Sequence, residues 1–448
     1  MRQNKDYLIT EKPSRALLIF SIPMIIGNLF QQAYTIVDSA IVGRYVGETA
    51  LAAVGASYSL TSIFICIAIG GGIGASVIIS HHFGAHNYGR MKTCIRTALL
   101  SFLFISLILG GIGLIFSQQI MEVLNTPADA IDIAVTYLNI YFLGLPFLFM
   151  YNILSSMFNA LGESRIPLYL LIFSSVLNIF LDLYMVAVLN LGVAGAAYAT
   201  FIAQGISAVL SLIIFVVTLQ QLQGKAEGWF SKTEFSDMSR IALPSILQQS
   251  TVSIGMMLVQ SVVNSFGTQI LAGFSAAMRI ESLCVVPMSA IGNAMSSYTA
   301  QNIGAEKEER ISQGYRAGNF MIIVIAVILC FFLEIAHKPL IALFLDNEPS
   351  AQTIVTGESY LKFIGFFFCM IGFKMTVDGI LRGAVKVFTI ANMVNLTVRV
   401  TIAKFGAPIW GVSMVWYAVP LGWLANFLIS YGYYRTEKWK EAASKTVD

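Results

Sequence analysis

Long apolar stretches separated by short polar turns occupy nearly the whole chain. Twelve of them are long enough to cross a bilayer as a helix, which takes about 20 residues. The pattern therefore predicts an all-α polytopic membrane protein with twelve transmembrane helices. We place the spans at residues 15–42, 50–80, 93–117, 130–157, 166–189, 192–220, 239–264, 268–299, 315–337, 353–378, 385–404 and 408–434.

The chain repeats itself after six spans. "GETALAAVG" from Gly47 is echoed by "GTQILAGFS" from Gly267, and "FGAHNYGR" from Phe83 by "IGAEKEER" from Ile303. Six is an even number, so both copies must insert with the same orientation. We expect two six-helix lobes, residues 1–225 and 226–448, related by a pseudo-two-fold axis along the membrane normal with a substrate cleft between them.

Prolines and one polar connection also follow the repeat. Pro23 in the first span has a counterpart in Pro244 in the seventh, and a proline inside a helix favours bending. The long polar connection, residues 221–238, lies at the midpoint of the chain. We interpret it as the linker between the lobes.

Composition and charge place the chain in a membrane with a defined orientation. Hydrophobic residues make up 57% of the chain, charged residues only 11%, and the mean hydropathy is +0.75. Soluble proteins carry about 25% charged residues. Most of the basic residues, including Arg2, Lys5 and Lys445, fall in segments on one side of the membrane, whereas Arg44, Lys338 and Lys404 fall on the other. The positive-inside rule then predicts a multi-pass protein of the inner (plasma) membrane with both termini cytoplasmic.

Two carboxylates lie inside the spans of the first half. Asp38 belongs to the first span and Asp182 to the fifth, and Asn178 precedes Asp182 by one helical turn. A carboxylate at mid-membrane costs about 2.5–3.5 kcal/mol, so each needs compensation. At a rise of ~1.5 Å per residue from the outer helix ends, Asp38, Asp182, Thr200 and Asn178 lie at depths of about 6, 10, 12 and 16 Å.

These four residues form a candidate cation or proton site. Carboxylate, amide and hydroxyl oxygens suit a hard monovalent cation, and two facing acids can share a proton. We expect no cofactor and no metal beyond a coupling ion, H⁺ or Na⁺. The alternative is structural: Asp38 would cap or end the first helix, and Asp182 would bond to a neighbouring helix.

The second half differs from the first. Its seventh span has no acid after Arg240, and Arg399 follows Asn395 by four residues, as Asp182 follows Asn178. The repeated position has thus changed sign, and we interpret this half as lacking the cation site. Its other charges within spans form a candidate polar site with Arg399: Arg279, Glu281, Lys374 and Asp378.

Spacing says little about how these charges pair. Arg279 and Glu281 are two residues apart and should point to different faces of a helix, whereas Lys374 and Asp378 are one turn apart and can neutralise each other.

The sequence carries no enzyme signature. It lacks a GxxxxGK[ST] phosphate loop, and "HHFGAHNYGR" lacks HExxH spacing, so we expect that histidine-rich segment to be a solvated cytoplasmic loop. The five cysteines lie in or beside apolar spans and suggest packing rather than disulfides or metal binding. We expect small-molecule substrates and the bilayer as partners, no nucleic acid, and a monomer.

Four segments resemble the MATE (multidrug and toxic compound extrusion) transporters. They are "FQQAYTIVDSAIVGRYVGETALAAVG", "HHFGAHNYGRMK", "FNALGESRIPLYLLIFSSVLNIFLDLYMV" and "DGILRGAVKVFTIANMVNLTVRV". The resemblance covers roughly residues 15–435. It implies two six-helix lobes around a V-shaped cavity, and export of organic, often cationic compounds in exchange for protons or sodium ions by alternating access.

The resemblance also carries over individual residues. Asp38 matches the family's carboxylate in the first helix, and Asn178, Asp182 and Thr200 match its other cation-site positions in the first lobe. Bending at Pro23 would follow occupancy of that site. Some members also use acids in the seventh helix, which this chain lacks, so coupling through the first lobe is favoured. The alternative function is a flippase for a lipid-linked precursor within the same superfamily, for which Arg279, Lys374 and Arg399 would have to supply a cationic cavity.

Overall fold

The computed structural model describes residues 6–46, 48–124, 126–127, 130–345, 350–386 and 389–440, and these residues form helices joined by short turns. Arg2, Lys5, Gly47 and Lys445, which the sequence argument used, lie outside the described residues. The helices are α1 Tyr7–Thr10, α2 Pro13–Tyr45, α3 Glu48–Gly84, α4 Tyr88–Val123, α5 Ile131–Ala160, α6 Arg165–Asp182, α7 Gly192–Gln220, α8 Lys232–Asn264, α9 Thr268–Gly304, α10 Glu309–Ala342, α11 Ala351–Gly365, α12 Phe368–Gly383, α13 Thr389–Thr401, α14 Ala407–Trp410 and α15 Ser413–Arg435.

Each of the twelve predicted spans has a helical counterpart. Within the described residues, ten helices are long and apolar enough to cross a membrane, and α11 with α12, bent by 53° at their junction, supplies an eleventh. The predicted span 385–404 corresponds to α13 and its continuation to Trp410. That segment is less apolar than the other spans because Asn392, Asn395, Arg399 and Lys404 interrupt it. The chain is therefore the predicted polytopic all-α protein.

The chain divides into two compact units. The N-terminal unit comprises residues 26–246, and the C-terminal unit comprises residues 1–25 and 247–448. Each has its own apolar core, formed around Phe142 and Phe149 in the first and around Phe274, Tyr360 and Phe368 in the second. The boundary between the predicted lobes, at residue 225, lies between two spans. The boundaries between the compact units lie inside helices α2 and α8.

Residues 6–25 pack in the C-terminal unit, where both apolar and polar side chains hold α1. Asn302 donates from Nδ2 to the carbonyl of Leu8 at 3.1 Å, and Lys307 donates to the carbonyl of Ile9 at 3.3 Å. Arg310 donates to the carbonyls of Leu8 and Glu11. Lys307 and Arg310 thus bind the backbone of the N-terminal segment.

Residues 221–231, the first part of the interpreted linker 221–238, pack against another helix. They lie inside the N-terminal unit, against the start of α4, and α8 already begins at Lys232. Lys92 Nζ donates to the carbonyls of Leu222 and Gly224 at 2.7 and 2.8 Å. The hydroxyls of Thr93 and Thr97 accept from backbone N–H groups of Glu227 and Ser231 at 2.9 and 3.0 Å. Helix α4 thus supplies hydrogen-bond partners to the backbone of this segment.

Lys92→Ala is expected to release this segment to proteases. The substitution removes two charge-assisted hydrogen bonds, so trypsin should cleave after the exposed Lys225 several times faster than in the parent protein. Fragment formation followed by gel electrophoresis in inside-out membranes measures this. Adding Lys225→Gln to the same variant should remove the fragment, and an unchanged cleavage rate in Lys92→Ala would contradict the assignment.

His81 and His82 correct the expectation of a solvated loop. Both are buried and belong to the last turn of α3. His82 Nε2 lies 3.0 Å from Glu234 Oε2 and 3.2 Å from Glu234 Oε1, and Glu234 is in the first turn of α8. Only the residues between Gly84 and the start of α4 form a turn. The polar residues that suggested a loop thus include His82, which forms a contact between α3 and α8.

Helices α9 and α12 approach each other backbone to backbone. A Cβ added at Gly379 would overlap the carbonyl oxygen of Gly292, and one at Gly383 would overlap that of Ser296. Small residues allow such close contacts between helices in membranes. Arg382, between these two glycines, donates to Asn293 Oδ1 at 2.8 Å and to Ser296 Oγ at 3.3 Å, which fixes the same pair of helices.

Candidate functional site

The buried end of α6 carries the most constrained polar group of the N-terminal unit. Asp182 is the last residue of α6 and has no exposed surface, and Asn178 one turn earlier is 2% exposed. The backbone then widens into a π-helical turn over Leu183–Val188. Such turns are rare and occur frequently at functional sites.

Asn178 connects three helices. With its amide oriented so that both ends are satisfied, its nitrogen donates to Tyr34 Oη and to Asp182 Oδ2, both at 2.8 Å, and its oxygen accepts from the Thr200 backbone N–H at 3.0 Å. In the opposite orientation the nitrogen would donate only to Thr200 Oγ1, at 3.3 Å. We adopt the first orientation because a buried amide rarely leaves its groups unpaired.

Asp38 on α2 lies close enough to Asp182 on α6 for the two carboxyl groups to interact. One oxygen of each carboxyl group, Oδ1 in both, is buried without a hydrogen-bond partner among the described residues. Two carboxylates this close repel each other in a medium of low dielectric constant, so a proton or a small cation between them is needed to stabilise the pair. The arrangement can therefore bind one positive charge.

The structural alternative for Asp38 is wrong. Helix α2 continues to Tyr45, so Asp38 lies inside the helix and neither caps it nor ends it. The structural alternative for Asp182 is too narrow, since its contacts reach Asn178 on its own helix as well as Asp38 on another. The four residues selected from the sequence thus lie together in the N-terminal unit.

Two tyrosines of this site escaped the sequence analysis. Tyr34 accepts from Asn178, and both Tyr34 and Tyr137 lie near Asp38 and Asp182. Tyr34 precedes Asp38 by one turn, which was a usable signal. Tyr137 is about 10 Å from the start of its predicted span, the depth assigned to Asp182, but aromatic residues are too common in this chain for depth alone to select it.

The candidate polar residues of the second half are only partly together. Arg279 is exposed, whereas Glu281, two residues later on α9, is buried, as their spacing predicted. Glu281 Oε2 accepts from the hydroxyl of Tyr360 at 2.6 Å. Lys374 Nζ lies 3.2 Å from Asp378 Oδ2, which is the predicted neutralisation within one turn. Asp378 Oδ1 also accepts from Ser430 at 2.8 Å.

Arg399 occupies in α13 the place that Asp182 has in α6. It is buried, follows Asn395 by four residues, and precedes a π-helical turn over Ile402–Gly406. The two halves therefore share a backbone feature as well as a sequence repeat, but they place opposite charges at it. Glu281, Lys374 and Arg399 line one cavity of the C-terminal unit.

Comparison with known proteins gives the family. The sequence model of the MatE family matches the chain twice, over residues 23–184 and 244–403. The two matches correspond to the two halves of the internal repeat.

Individual relatives extend over nearly the whole chain. The probable multidrug resistance protein YpnP of Bacillus subtilis (strain 168) is 31% identical over 430 residues, 95% of this chain and 96% of that protein. The multidrug export protein MepA of Staphylococcus aureus (strain N315) is 23% identical over 403 residues, 86% of this chain and 88% of that protein.

The fold is also that of a solved transporter. One such structure is that of a MOP superfamily transporter from Pyrococcus furiosus, which is reported to have a binding pocket of reverse polarity. It superposes on this chain with a TM-score of 0.91 at 23% identity, and the match covers 99% of both chains. The duplicated six-span pattern, the two family matches and the full-length relative lead to one conclusion. The chain belongs to the MATE family of multi-pass membrane transporters, and it is a transporter, not an enzyme.

Proposed function

We propose that this protein is a secondary active antiporter that exports organic, often cationic and amphipathic compounds in exchange for protons or sodium ions. The observation that carries the proposal is the buried cluster in which Asn178 binds Asp182, Tyr34 and Thr200, with an unpartnered carboxyl oxygen on Asp182 and on the neighbouring Asp38. The names of its relatives support the export of drugs.

The coupling ion binds between the two carboxyl groups. Asp182 Oδ2 already accepts from Asn178, so the unpartnered Oδ1 atoms of Asp38 and Asp182 are the atoms that take up the ion. Thr200 and Tyr34 hold Asn178 in place and so fix the position of Asp182. One positive charge entering along the membrane potential supplies about 2.3 kcal/mol per 100 mV, which can drive the export of a neutral compound. Exchange for a monovalent organic cation is electroneutral, so the concentration gradient of the coupling ion supplies the driving force in that case.

Occupancy of the site acts on α2. Binding removes the repulsion between Asp38 and Asp182 and so favours a conformation in which α2 and α6 approach each other. Pro23 leaves the carbonyl of Ile19 without its usual helical donor, and this makes the first part of α2 the place where the helix bends most easily. Bending there would move α2 relative to the substrate path and so open that path to one side of the membrane at a time.

Efflux from reconstituted vesicles tests the proposal. Liposomes that contain the purified protein are loaded with ethidium. A proton gradient or a sodium gradient is then imposed separately at zero membrane potential. We expect one of the two gradients to accelerate ethidium efflux, and the effective gradient identifies the ion. Efflux that responds to neither gradient would contradict antiport, and movement of a lipid-linked precursor under the same conditions would favour the flippase instead.

Tyr34→Phe is expected to weaken ion binding without removing transport. The substitution deletes the hydroxyl that accepts from Asn178, and a lost hydrogen bond of about 0.5–1.5 kcal/mol raises the ion concentration for half-maximal efflux roughly 2- to 12-fold. The same titration of Tyr45→Phe, an exposed tyrosine at the end of α2, provides the control. Equal half-maximal ion concentrations in both variants would show that the Tyr34 hydroxyl does not contribute to ion binding.

A further inference from the structure

A cavity of about 190 Å³ lies inside the C-terminal unit, between α8, α9, α12, α13 and α15. This volume corresponds to roughly six water molecules. Its wall combines three ionisable side chains with neutral polar and apolar ones. The ionisable residues are Glu281, Lys374 and Arg399, and the apolar residues include Met278, Val285 and Trp423.

The acidic groups around the cavity already have partners. Glu281 accepts from the Tyr360 hydroxyl at 2.6 Å. Asp378, which forms an ion pair with Lys374 at 3.2 Å, also accepts from Ser430. An incoming cation would therefore have to compete with the existing donors for both carboxylates.

Arg399 is in the opposite situation. Its side chain lines the cavity, the residue is only 8% exposed, and its Nε is buried without a hydrogen-bond partner among the described residues. Glu281 is near enough to attract it but does not bind it. A guanidinium has five N–H donors, and leaving them unpaired in a buried site is costly. Arg399 therefore needs a hydrogen-bond acceptor, which a ligand in the cavity would supply.

The rest of the wall selects the body of the ligand. Met278 and Met375 give flexible apolar contacts, Val285 adds a rigid one, and the ring of Trp423 offers a flat surface. Methionine-rich surfaces adapt to ligands of different shape. A fully hydrated inorganic anion would leave this surface wet, whereas a small ring system would cover it.

We propose that this cavity binds a small amphipathic organic anion, with its carboxylate or phosphate group on Arg399 and its apolar rings against Trp423 and the methionines. The bond is a planar, bidentate one, which a guanidinium forms with either group. The site lies entirely within the C-terminal unit and is separate from the ion site of the N-terminal unit. It does not depend on the proposed antiport, because binding needs no gradient.

Equilibrium binding with a pair of probes of opposite charge tests this. The purified full-length protein is placed in nanodiscs of neutral lipid and dialysed against 2-naphthoate or against 2-naphthylmethylammonium, with empty nanodiscs as the blank. Both probes have the same rings and differ in the sign of the charge. We expect saturable binding of the anion to one site and at least ~10-fold weaker binding of the cation.

Two variants assign that binding to the cavity. Arg399→Gln should weaken naphthoate binding at least ~10-fold, as expected for the loss of a charge-assisted bidentate contact. Val285→Phe, which keeps Arg399 and adds a ring to the cavity wall, should weaken it to a similar extent and serves if the glutamine variant does not fold. Arg279→Gln removes an exposed cation from α9 and should leave binding unchanged.

Several results would overturn the proposal. These are equal binding of the two probes, naphthoate binding that survives both cavity variants, and no saturable binding at all, which would mean that the cavity holds water only. No transport is measured, so failure here leaves the antiport proposal standing, and failure of the efflux experiment leaves this one standing.

Discussion

Asp38→Asn and Asp182→Asn should each reduce gradient-driven ethidium efflux to the level of liposomes without protein. An asparagine at either position has nearly the same shape as the aspartate but carries no charge to attract a cation and no proton to exchange. The remaining carboxyl group then has no like charge beside it, so the event that drives the conformational change is lost. This is the largest effect on activity that the structure leads us to expect.

Asp132→Asn is the matched control for this experiment. It replaces an exposed carboxylate in the first turn of α5, in the same unit, and should leave efflux intact. Size-exclusion chromatography of all three variants establishes that each is folded. Wild-type efflux in either Asp38→Asn or Asp182→Asn would exclude the paired carboxyl groups as the coupling site.

Gly379→Val should have the largest effect on folding. The new Cβ would meet the carbonyl oxygen of Gly292, which is backbone and cannot move aside as a flexible side chain can. Helices α9 and α12 would have to separate, and the packing of Phe274, Tyr360 and Phe368 in the same unit would loosen with them. We expect the yield of monodisperse protein extracted from membranes to fall to a small fraction of that of the parent protein.

The control for this substitution is Gly432→Val on α15. Gly432 is exposed, and nothing lies within contact distance of a Cβ added there, so the yield and the thermal midpoint should change little. Fluorescence-detected size-exclusion chromatography compares both variants in one assay. A normal elution profile for Gly379→Val would show that the close approach of α9 and α12 is not required for folding.

The sequence was most informative where a residue conflicts with its surroundings. Asp38 and Asp182 are costly in an apolar span, so they could be selected one at a time, and the rise of a helix then placed them at similar depth. The helix count followed from the length of the apolar runs. The repeat was visible because similar segments recur at an offset of 220 residues, with the helical prolines Pro23 and Pro244 one residue out of that register.

Contacts between distant segments could not be predicted in the same way. Nothing in the letters of residues 221–231 shows that Lys92 holds their carbonyls, since a basic residue at a membrane surface is ordinary. His82 and Glu234 are 152 residues apart, and each alone is typical of a solvated turn. Arg399 was recognised as a change of sign, but the absence of a partner is a property of the packed helices and not of the sequence.

The division of the chain into compact units has a mechanical consequence. The chain passes between them twice, near Ile25 in α2 and near Ile246 in α8, and each crossing lies within three residues of a helical proline, Pro23 or Pro244. Neither crossing is a loop, so the covalent path is stiff except where a proline removes a backbone hydrogen bond. Each crossing is therefore a continuous helix with one local weak point rather than a flexible tether, and that weak point stands at the same distance from the crossing in both halves of the repeat.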